Sequence, residues 1–323
     1  SRGLGDVYKR QVSPLSITVG EEVIGGVIPT TYMGSQGMFV ALILCYLVAK
    51  VYCKILSSKL KIKLPDSVPP MVSSSFESLI PVIITLVLVC SINYCFTLTS
   101  FGNIHALVNE IIQKPLLLIG TGLPALLISQ GLAQLLWFFG LHGDQIVGSV
   151  MDPILQTAGM ENLSAYTAGD AVPYIITDQF RALFVMIAFM SLVIAILIVS
   201  KSNRLKGVGK VAVLPATFCI SEPVVFGAPV VMNAMLFIPW VLSRPVFGLI
   251  TWLFMKFGLC PYPTGVAIPW TTPPVLSGFL ATNSIMGAVV QIICLAIGVL
   301  MFIPFVKMID KTYHQEEIKT KEQ

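Results

Sequence analysis

The sequence predicts an all-α, polytopic membrane protein whose helices are interrupted around buried polar residues. Of its 323 residues, 55% are hydrophobic and 11% are charged, against about 25% charged in an average soluble domain. Residues 257–306 are fifty consecutive positions without Asp, Glu, Lys or Arg, and Pro115–Leu141 are twenty-seven more. Each run exceeds the roughly 20 apolar residues that one helix needs to cross a bilayer. The 21 prolines and 25 glycines include many inside apolar runs, which predicts broken or re-entrant helices.

Charge and cysteine content exclude several classes of protein. The net charge of +4 comes from loops, so no nucleic-acid partner is predicted. The seven cysteines include no Cys-x-x-Cys pair, so we expect no disulfide framework, no metal site and no cofactor. Ser1–Gln11 match nothing that follows, and we expect them to be an artefact joined to a chain that begins within a longer protein.

Hydropathy places the spanning helices in order along the chain. The predicted spans are Gly37–Leu56, Leu79–Leu98, Leu123–Phe139, Ala182–Val199 and Ile285–Phe305. Between the last two, 211–243, 247–255 and 257–283 are apolar, and prolines interrupt the first and the third of these segments. Basic loops at 50–63 and 201–210 and the charged tail at 307–323 are predicted to be cytoplasmic by the positive-inside rule.

Two segments do not read as simple spans. Residues 101–118 carry apolar side chains at Ile104, Leu107, Val108, Ile111 and Ile112, with Asn109, Glu110, Gln113 and Lys114 on the other side. This spacing predicts an interfacial amphipathic helix. Residues 140–180 are too polar to face lipid. If 79–98, 123–139 and 182–199 each cross the membrane once, however, the two basic loops lie on opposite sides, although both are predicted to be cytoplasmic. A partly unwound segment, buried in protein at membrane depth, would remove this conflict.

Two short stretches contain ionisable groups at predicted breaks. His142 follows an apolar helix in Gly140-Leu-His-Gly-Asp144, where it serves either as a titratable functional group or simply as a helix cap. Glu222 precedes Pro223 in Ser221-Glu-Pro-Val-Val-Phe-Gly-Ala-Pro229, which places a carboxylate between two half-helices. It either binds a polar ligand or pairs with Arg181 or Lys210.

Tryptophans stand near both breaks. Trp137 precedes His142, and Trp270 lies in Ile268-Pro-Trp-Thr-Thr-Pro-Pro274. An indole offers a flat apolar face and one N–H donor, which suits the face of a pyranose ring. Trp240 and Trp252 are interpreted instead as anchors at the membrane interface.

These residues resemble a known family. The segments 137–143 and 221–229, preceded by Ile62-Lys-Leu-Pro-Asp-Ser-Val-Pro-Pro70 and followed by 268–274, are similar to the membrane component, enzyme IIC (EIIC), of the bacterial phosphotransferase system. The lactose, cellobiose and diacetylchitobiose branch is the most similar. The likeness runs from about Val12 to the last span.

The resemblance implies a homodimeric permease in the bacterial cytoplasmic membrane that binds a β-linked disaccharide near the bilayer midplane. The sugar would be released inside as its 6-phosphate, with a phosphocysteine on enzyme IIB (EIIB) as donor and enzyme IIA (EIIA) upstream. His142 and Glu222 are the implied catalytic residues, and either could be the general base. The implied sugar-binding residues are Trp137, Gly143, Trp270, Thr272 and Gln113.

The implied organisation has the C-terminal part of a dimerisation half at 12–100, the interfacial helix at 101–118, a transport domain at 119–306 and a cytoplasmic tail at 307–323. We expect an N-terminal truncation, since permeases of this branch are longer, and a separate EIIB subunit, since only a short tail follows the last span. The alternative function is an ion-coupled secondary sugar transporter, for which broken helices with midplane Glu and His are equally natural. A membrane scaffold without transport activity is the third possibility.

Overall fold

The computed structural model describes residues 15–19, 22–27, 35–60, 62, 64–65, 68–228 and 230–321. The chain divides into two compact units, residues 1–116 and 117–323. The segment 1–11, interpreted above as an artefact, lies outside the described residues.

The first unit combines a short hairpin with helices. Strands β1 (Leu15–Val19) and β2 (Glu22–Val27) pair antiparallel, an addition to the expected helices. The helices are α1 (Ser35–Leu56), α2 (Pro70–Glu77), α3 (Leu79–Thr97) and α4 (Ile104–Val108), followed by a π-helical turn, Asn109–Gln113. Helix α1 packs against α3, and both coincide with predicted spans.

The predicted amphipathic face of 101–118 is wrong in its second half. Asn103 caps α4 by accepting a hydrogen bond from the Ala106 amide at 2.8 Å, and Ile104 and Val108 are buried. The π-helical turn then adds a residue to one turn and rotates the side chains that follow. Ile111 is therefore exposed and Gln113 is buried, so Ile111 does not share the face of Ile104 and Val108 as predicted.

The second unit is a bundle of helices of unequal length. Helix α5 (Lys114–Gly120) contains residue 116, at which the first unit ends in the sequence. It is followed by α6 (Leu123–Phe138), α7 (Gly143–Ala168), a π-helical turn Phe180–Val185, α8 (Phe189–Val199), α9 (Asn203–Thr217), α10 (Glu222–Gly227), α11 (Ala234–Lys256), α12 (Leu276–Thr282) and α13 (Ile285–Lys321). Its two apolar cores centre on Trp240 and Phe302 and on Phe180 and Phe247.

Among the residues that the structure describes, five helical segments are long and apolar enough to cross a membrane: 39–56, 70–97, 180–199, 234–256 and 285–319. A sixth is added if 104–120 and 123–138, which form a bent pair, make one span. The chain is thus a multi-pass, helical membrane protein, as predicted. The interruption expected at Pro239 is absent, because Pro239 and Pro245 both lie inside the continuous helix α11.

Irregular backbone occurs where the sequence predicts breaks, with shifted limits. The chain leaves helical geometry at 139–142, at 218–221, at 228 and 230–233, and at 257–275. Cys219, Met232 and Val275 have positive φ at these breaks, a conformation that a side chain with a Cβ rarely adopts. Within 140–180 the non-helical parts are 140–142 and 169–177, since 143–168 form a helix that accommodates Pro153.

Candidate functional site

A cavity of about 580 Å³ lies in the second unit, where the broken segments meet. Its wall combines the end of α6, the first half of α7, the π-helical turn Phe180–Val185, the 219–222 turn and residues 268–270. It contains four of the predicted site residues: Trp137, His142, Glu222 and Trp270. Side chains from five chain segments are thus brought to one space.

His142 is both a helix cap and a cavity residue, so the two interpretations of this residue are compatible. Its Nδ1 accepts a hydrogen bond from the Gln145 amide at 3.3 Å, which caps α7. A neutral imidazole with Nδ1 as acceptor carries its proton on Nε2. The ring also packs against Trp137, with centroids 4.4 Å apart and planes tilted by 46°.

The indole ring of Trp137 makes a hydrogen bond at its edge in addition to packing against His142. The side chain is 3% exposed, and its indole Nε1 donates a hydrogen bond to Asp144 Oδ2 at 2.9 Å. Arg244 of α11 grips the same carboxylate through two contacts, Nη1 to Oδ1 at 2.5 Å and Nη2 to Oδ2 at 3.0 Å. The side chain of Arg244 is 2% exposed, so this ion pair is shielded from solvent.

Glu222 stands at the first position of α10, with Pro223 directly after it. Its side chain is exposed towards the cavity. Within the part of the chain that the structure describes, Glu222 forms no ion pair, and Arg181 pairs with Asp152 instead. The alternative in which Glu222 pairs with Arg181 or Lys210 is therefore wrong.

The remaining predicted binding residues are distributed differently. Trp270 lines the cavity and is 58% exposed. Thr272 is outside the described lining, and its carbonyl faces Cys219 Sγ at 3.7 Å. Gln113 belongs to the first unit. Trp240 is 1% exposed and donates its indole N–H to the Gln134 carbonyl at 3.1 Å, so its interpretation as an interface anchor is wrong.

Gly143 is buried behind the cavity for a packing reason. A Cβ at this position would lie 1.9 Å from the Ala133 carbonyl oxygen. Only glycine allows the start of α7 to approach the backbone of α6 so closely. Its contribution to the site is the close approach of the two helices that carry Trp137 and His142.

Several cavity residues were missed by the sequence analysis. They include Asp144, Asp152, Asp178, Arg181, Gln156 and Gln179. The signal that could have found them is the presence of ionisable residues beside apolar spans, which are functional candidates by default. Cys219 also lines the cavity, and burial raises the pKa of its thiol to about 11. It is therefore a neutral thiol near pH 7 and a poor phosphoryl acceptor.

Known proteins share this architecture. The family model described as phosphotransferase system, EIIC, matches residues 8–243. The oligo-beta-mannoside-specific EIIC component of Bacillus subtilis (strain 168) is 44% identical over 90% of this chain and 67% of its own length. The cellobiose-specific EIIC component of Geobacillus stearothermophilus is 38% identical over 91% of this chain and 67% of its own length. The chain thus spans about two thirds of these relatives.

A solved structure matches as well. The transporter ChbC, the IIC component of the N,N'-diacetylchitobiose-specific phosphotransferase system, superimposes with a TM-score of 0.91 and 36% sequence identity. The match covers 97% of this chain and 75% of ChbC. By sequence and by fold, the chain belongs to the EIIC family of the phosphotransferase system, whose members are multi-pass membrane permeases that work with EIIB and EIIA to take up sugars.

Proposed function

We propose that the cavity binds a β-linked disaccharide and presents its 6-hydroxyl for phosphorylation by phospho-EIIB. The observation that carries the proposal is the meeting of His142, Glu222, Trp137 and Trp270 around one space. Its volume of about 580 Å³ lies within the roughly 300–1,000 Å³ of small-molecule sites. Indole faces suit the C–H faces of sugar rings, and carboxylate and imidazole groups suit hydroxyls.

The contacts of His142 support a division of roles. In the transfer step, the 6-hydroxyl oxygen forms a bond to phosphorus while the sulfur–phosphorus bond of the EIIB phosphocysteine breaks. The hydroxyl proton needs an acceptor. The Nδ1 of His142 is engaged by the Gln145 amide, so the neutral ring offers a donor, Nε2–H, to the sugar. Glu222 is then the general base, and His142 orients the hydroxyl.

The names of the relatives support a class of sugar. The names of the three proteins compared above specify oligo-beta-mannosides, cellobiose and diacetylchitobiose. We propose a β-linked disaccharide of this kind for the present chain. A calorimetric binding screen of cellobiose, diacetylchitobiose and a β-mannobiose on the purified protein would identify the preferred sugar.

Glu222→Gln tests the assignment of the base. We expect sugar-phosphate formation with phospho-EIIB to fall by at least about 100-fold, because general base catalysis contributes about 10²–10⁴-fold. Cellobiose binding should change little, since the amide keeps the size of the side chain. Asp170→Asn removes a carboxylate that is exposed and outside the described lining, and it should change neither quantity. Unchanged phosphorylation by Glu222→Gln would assign the proton to another group.

Uptake into membrane vesicles separates the proposal from ion-coupled transport. Group translocation requires phospho-EIIB and yields sugar phosphate inside the vesicle. Accumulation of unmodified sugar without EIIB, abolished by a protonophore, would support ion coupling instead. Membership of the EIIC family favours the first outcome.

We also propose that the permease is a homodimer. In the first unit, only 22% of the apolar window in 39–56 and 17% of that in 70–97 are buried within one chain, against 61% for 180–199. Such helices need either lipid or a second protomer against them. Molecular mass by light scattering in detergent, corrected for bound detergent, would distinguish dimer from monomer.

A further inference from the structure

The ion pair between Asp144 and Arg244, which is largely shielded from solvent, adjoins the proposed sugar site. Asp144 lines the cavity at the first turn of α7, whereas Arg244 reaches it from the middle of α11. Their two contacts, at 2.5 and 3.0 Å, form the paired geometry of a guanidinium with a carboxylate. The pair therefore fixes the carboxylate in both position and orientation.

The Asp144 carboxylate in turn fixes the orientation of Trp137, an aromatic residue of the cavity wall. Asp144 Oδ2 also accepts the indole N–H of Trp137 at 2.9 Å, which sets the rotation of the indole about its side-chain bonds. One face of that indole packs against His142 at 4.4 Å between centroids. A chain of direct contacts thus runs from Arg244 through Asp144 and Trp137 to His142.

We propose that Asp144 and Arg244 are positioning residues that act through Trp137. Asp144 holds the indole plane, the indole holds the imidazole, and Arg244 keeps the buried carboxylate charged and oriented. The proposal rests on the proposed function, in which Trp137 and His142 contact the sugar. Its distinctive feature is that the charge of Asp144 matters less for the sugar than its role as hydrogen-bond acceptor for Trp137.

Two double variants separate acceptor geometry from charge. Asp144→Leu with Arg244→Met removes the acceptor and both charges while keeping similar side-chain volumes, an exchange that buried ion pairs often tolerate. Asp144→Asn with Arg244→Gln also removes both charges but leaves an amide oxygen near Trp137 Nε1. Neither double variant leaves an unpaired buried charge. Thermal unfolding of each purified protein verifies that it is folded.

Cellobiose binding by calorimetry is the functional readout. We expect the Leu/Met pair to raise the Kd of cellobiose by about fivefold or more and the Asn/Gln pair to raise it by less than about twofold, because only the first pair loses the acceptor for Trp137. In a Trp137→Phe background, the Leu/Met pair should add less than about twofold, because positions that act through one another are not additive. A loss of about fivefold in that background, or equal losses for the two pairs, would overturn the proposal.

A spectroscopic readout keeps this test independent of the sugar. The indole N–H resonance of Trp137 in ¹⁵N-labelled protein, assigned by its absence from Trp137→Phe, should shift upfield and exchange faster with water in the Leu/Met pair. It should stay close to its original position in the Asn/Gln pair. An unchanged resonance in the Leu/Met pair would overturn the positioning role. Failure of the unsubstituted protein to bind any β-disaccharide, with the resonance behaving as expected, would instead contradict the proposed function alone.

Discussion

At the scale of single residues, the partners of each polar group restrict its chemistry. His142 has two ring nitrogens, and the backbone at Gln145 uses one of them. Glu222 has no ion pair among the described side chains and faces the cavity. The two residues are similar candidates for a base in the sequence, and their local contacts make them different.

Substitutions of His142 can separate the cap from the sugar contact. Gln places an N–H near the position of Nε2, whereas Asn places an oxygen near the position of Nδ1 and so keeps the cap. We expect His142→Gln to retain more cellobiose affinity than His142→Asn, by about five- to tenfold, since one hydrogen bond contributes about 1 kcal/mol. Calorimetry measures the two affinities. The opposite order would show that the cap, and not the Nε2 donor, is what sugar binding requires.

At the scale of helices, close approaches and caps hold the site together. Helix α7 meets α6 at Gly143, and α9 begins where α13 supplies carboxylates. These contacts join separate helices. For each substitution that disrupts one of them, the chain offers an exposed residue of similar type whose substitution serves as a control.

Gly143→Ala should disrupt the contact of α6 with α7. The added Cβ would lie 1.9 Å from the Ala133 carbonyl oxygen, and backbone cannot move aside as a flexible side chain can. We expect a loss of stability of about 3 kcal/mol, at the upper end of ordinary overpacking. Gly207→Ala is the matched control, because nothing lies within 4 Å of its Cβ. It should gain about 0.5–1 kcal/mol from helix propensity. Thermal unfolding in detergent checks both, and equal effects would contradict this account of Gly143.

Asp310 should stabilise the start of α9 from the C-terminal helix. Its carboxylate accepts hydrogen bonds from the amides of Lys201 and Ser202 at 2.7 and 2.9 Å and from the Ser202 hydroxyl at 2.7 Å. We expect Asp310→Asn to cost about 1–2 kcal/mol, because these bonds are charge-assisted and buried. Glu317 makes similar bonds to Asn203 and Arg204 in exposed positions. Glu317→Gln should therefore cost less than about 0.5 kcal/mol. A comparable loss for both in a thermal unfolding assay would contradict the role of burial.

At the scale of the whole molecule, the membrane topology follows from helix lengths and charges. The segment 180–199 has 20 residues and a mean hydropathy of 3.1, enough to separate Asp170 from the basic loop at 201–210. Helix α7 has 26 residues, so it is roughly 39 Å long. At that length, α7 is long enough to be an additional membrane crossing. With that crossing, the two basic loops lie on the same, cytoplasmic side.

Labelling of introduced cysteines tests this topology. We expect Lys206→Cys to react with a membrane-impermeant maleimide only in permeabilised cells, because basic loops stay in the cytoplasm. Asp170→Cys, on the other side of 180–199, should react in intact cells. The unsubstituted chain, with its seven native cysteines, gives the background. Labelling of both positions from the same side would show that 180–199 does not cross the membrane.

The sequence by itself determined that this chain is a multi-pass helical membrane protein and, with shifted limits, where several of its helices break. Uncharged apolar runs of twenty residues or more are typical of membrane-spanning helices, and proline and glycine within such runs indicate where the helices are interrupted. It also singled out His142, Glu222, Trp137 and Trp270, which line one cavity, because charges and indoles stand out in an apolar chain. Periodicity failed at Gln113, where a π-helical turn rotates the helix face, and proline misled at Pro239 and Pro245, which α11 accommodates.

Only the tertiary structure decided which groups meet. Asp144 and Arg244 are one hundred positions apart, and no local pattern pairs them. The same holds for Arg181 with Asp152 in place of Glu222 and for the contact of Gly143 with Ala133. Breaks and spans follow from short-range sterics and transfer free energies, which each segment carries in its own residues. Ion pairs and close approaches depend on how separate helices pack, which is a property of the assembled bundle.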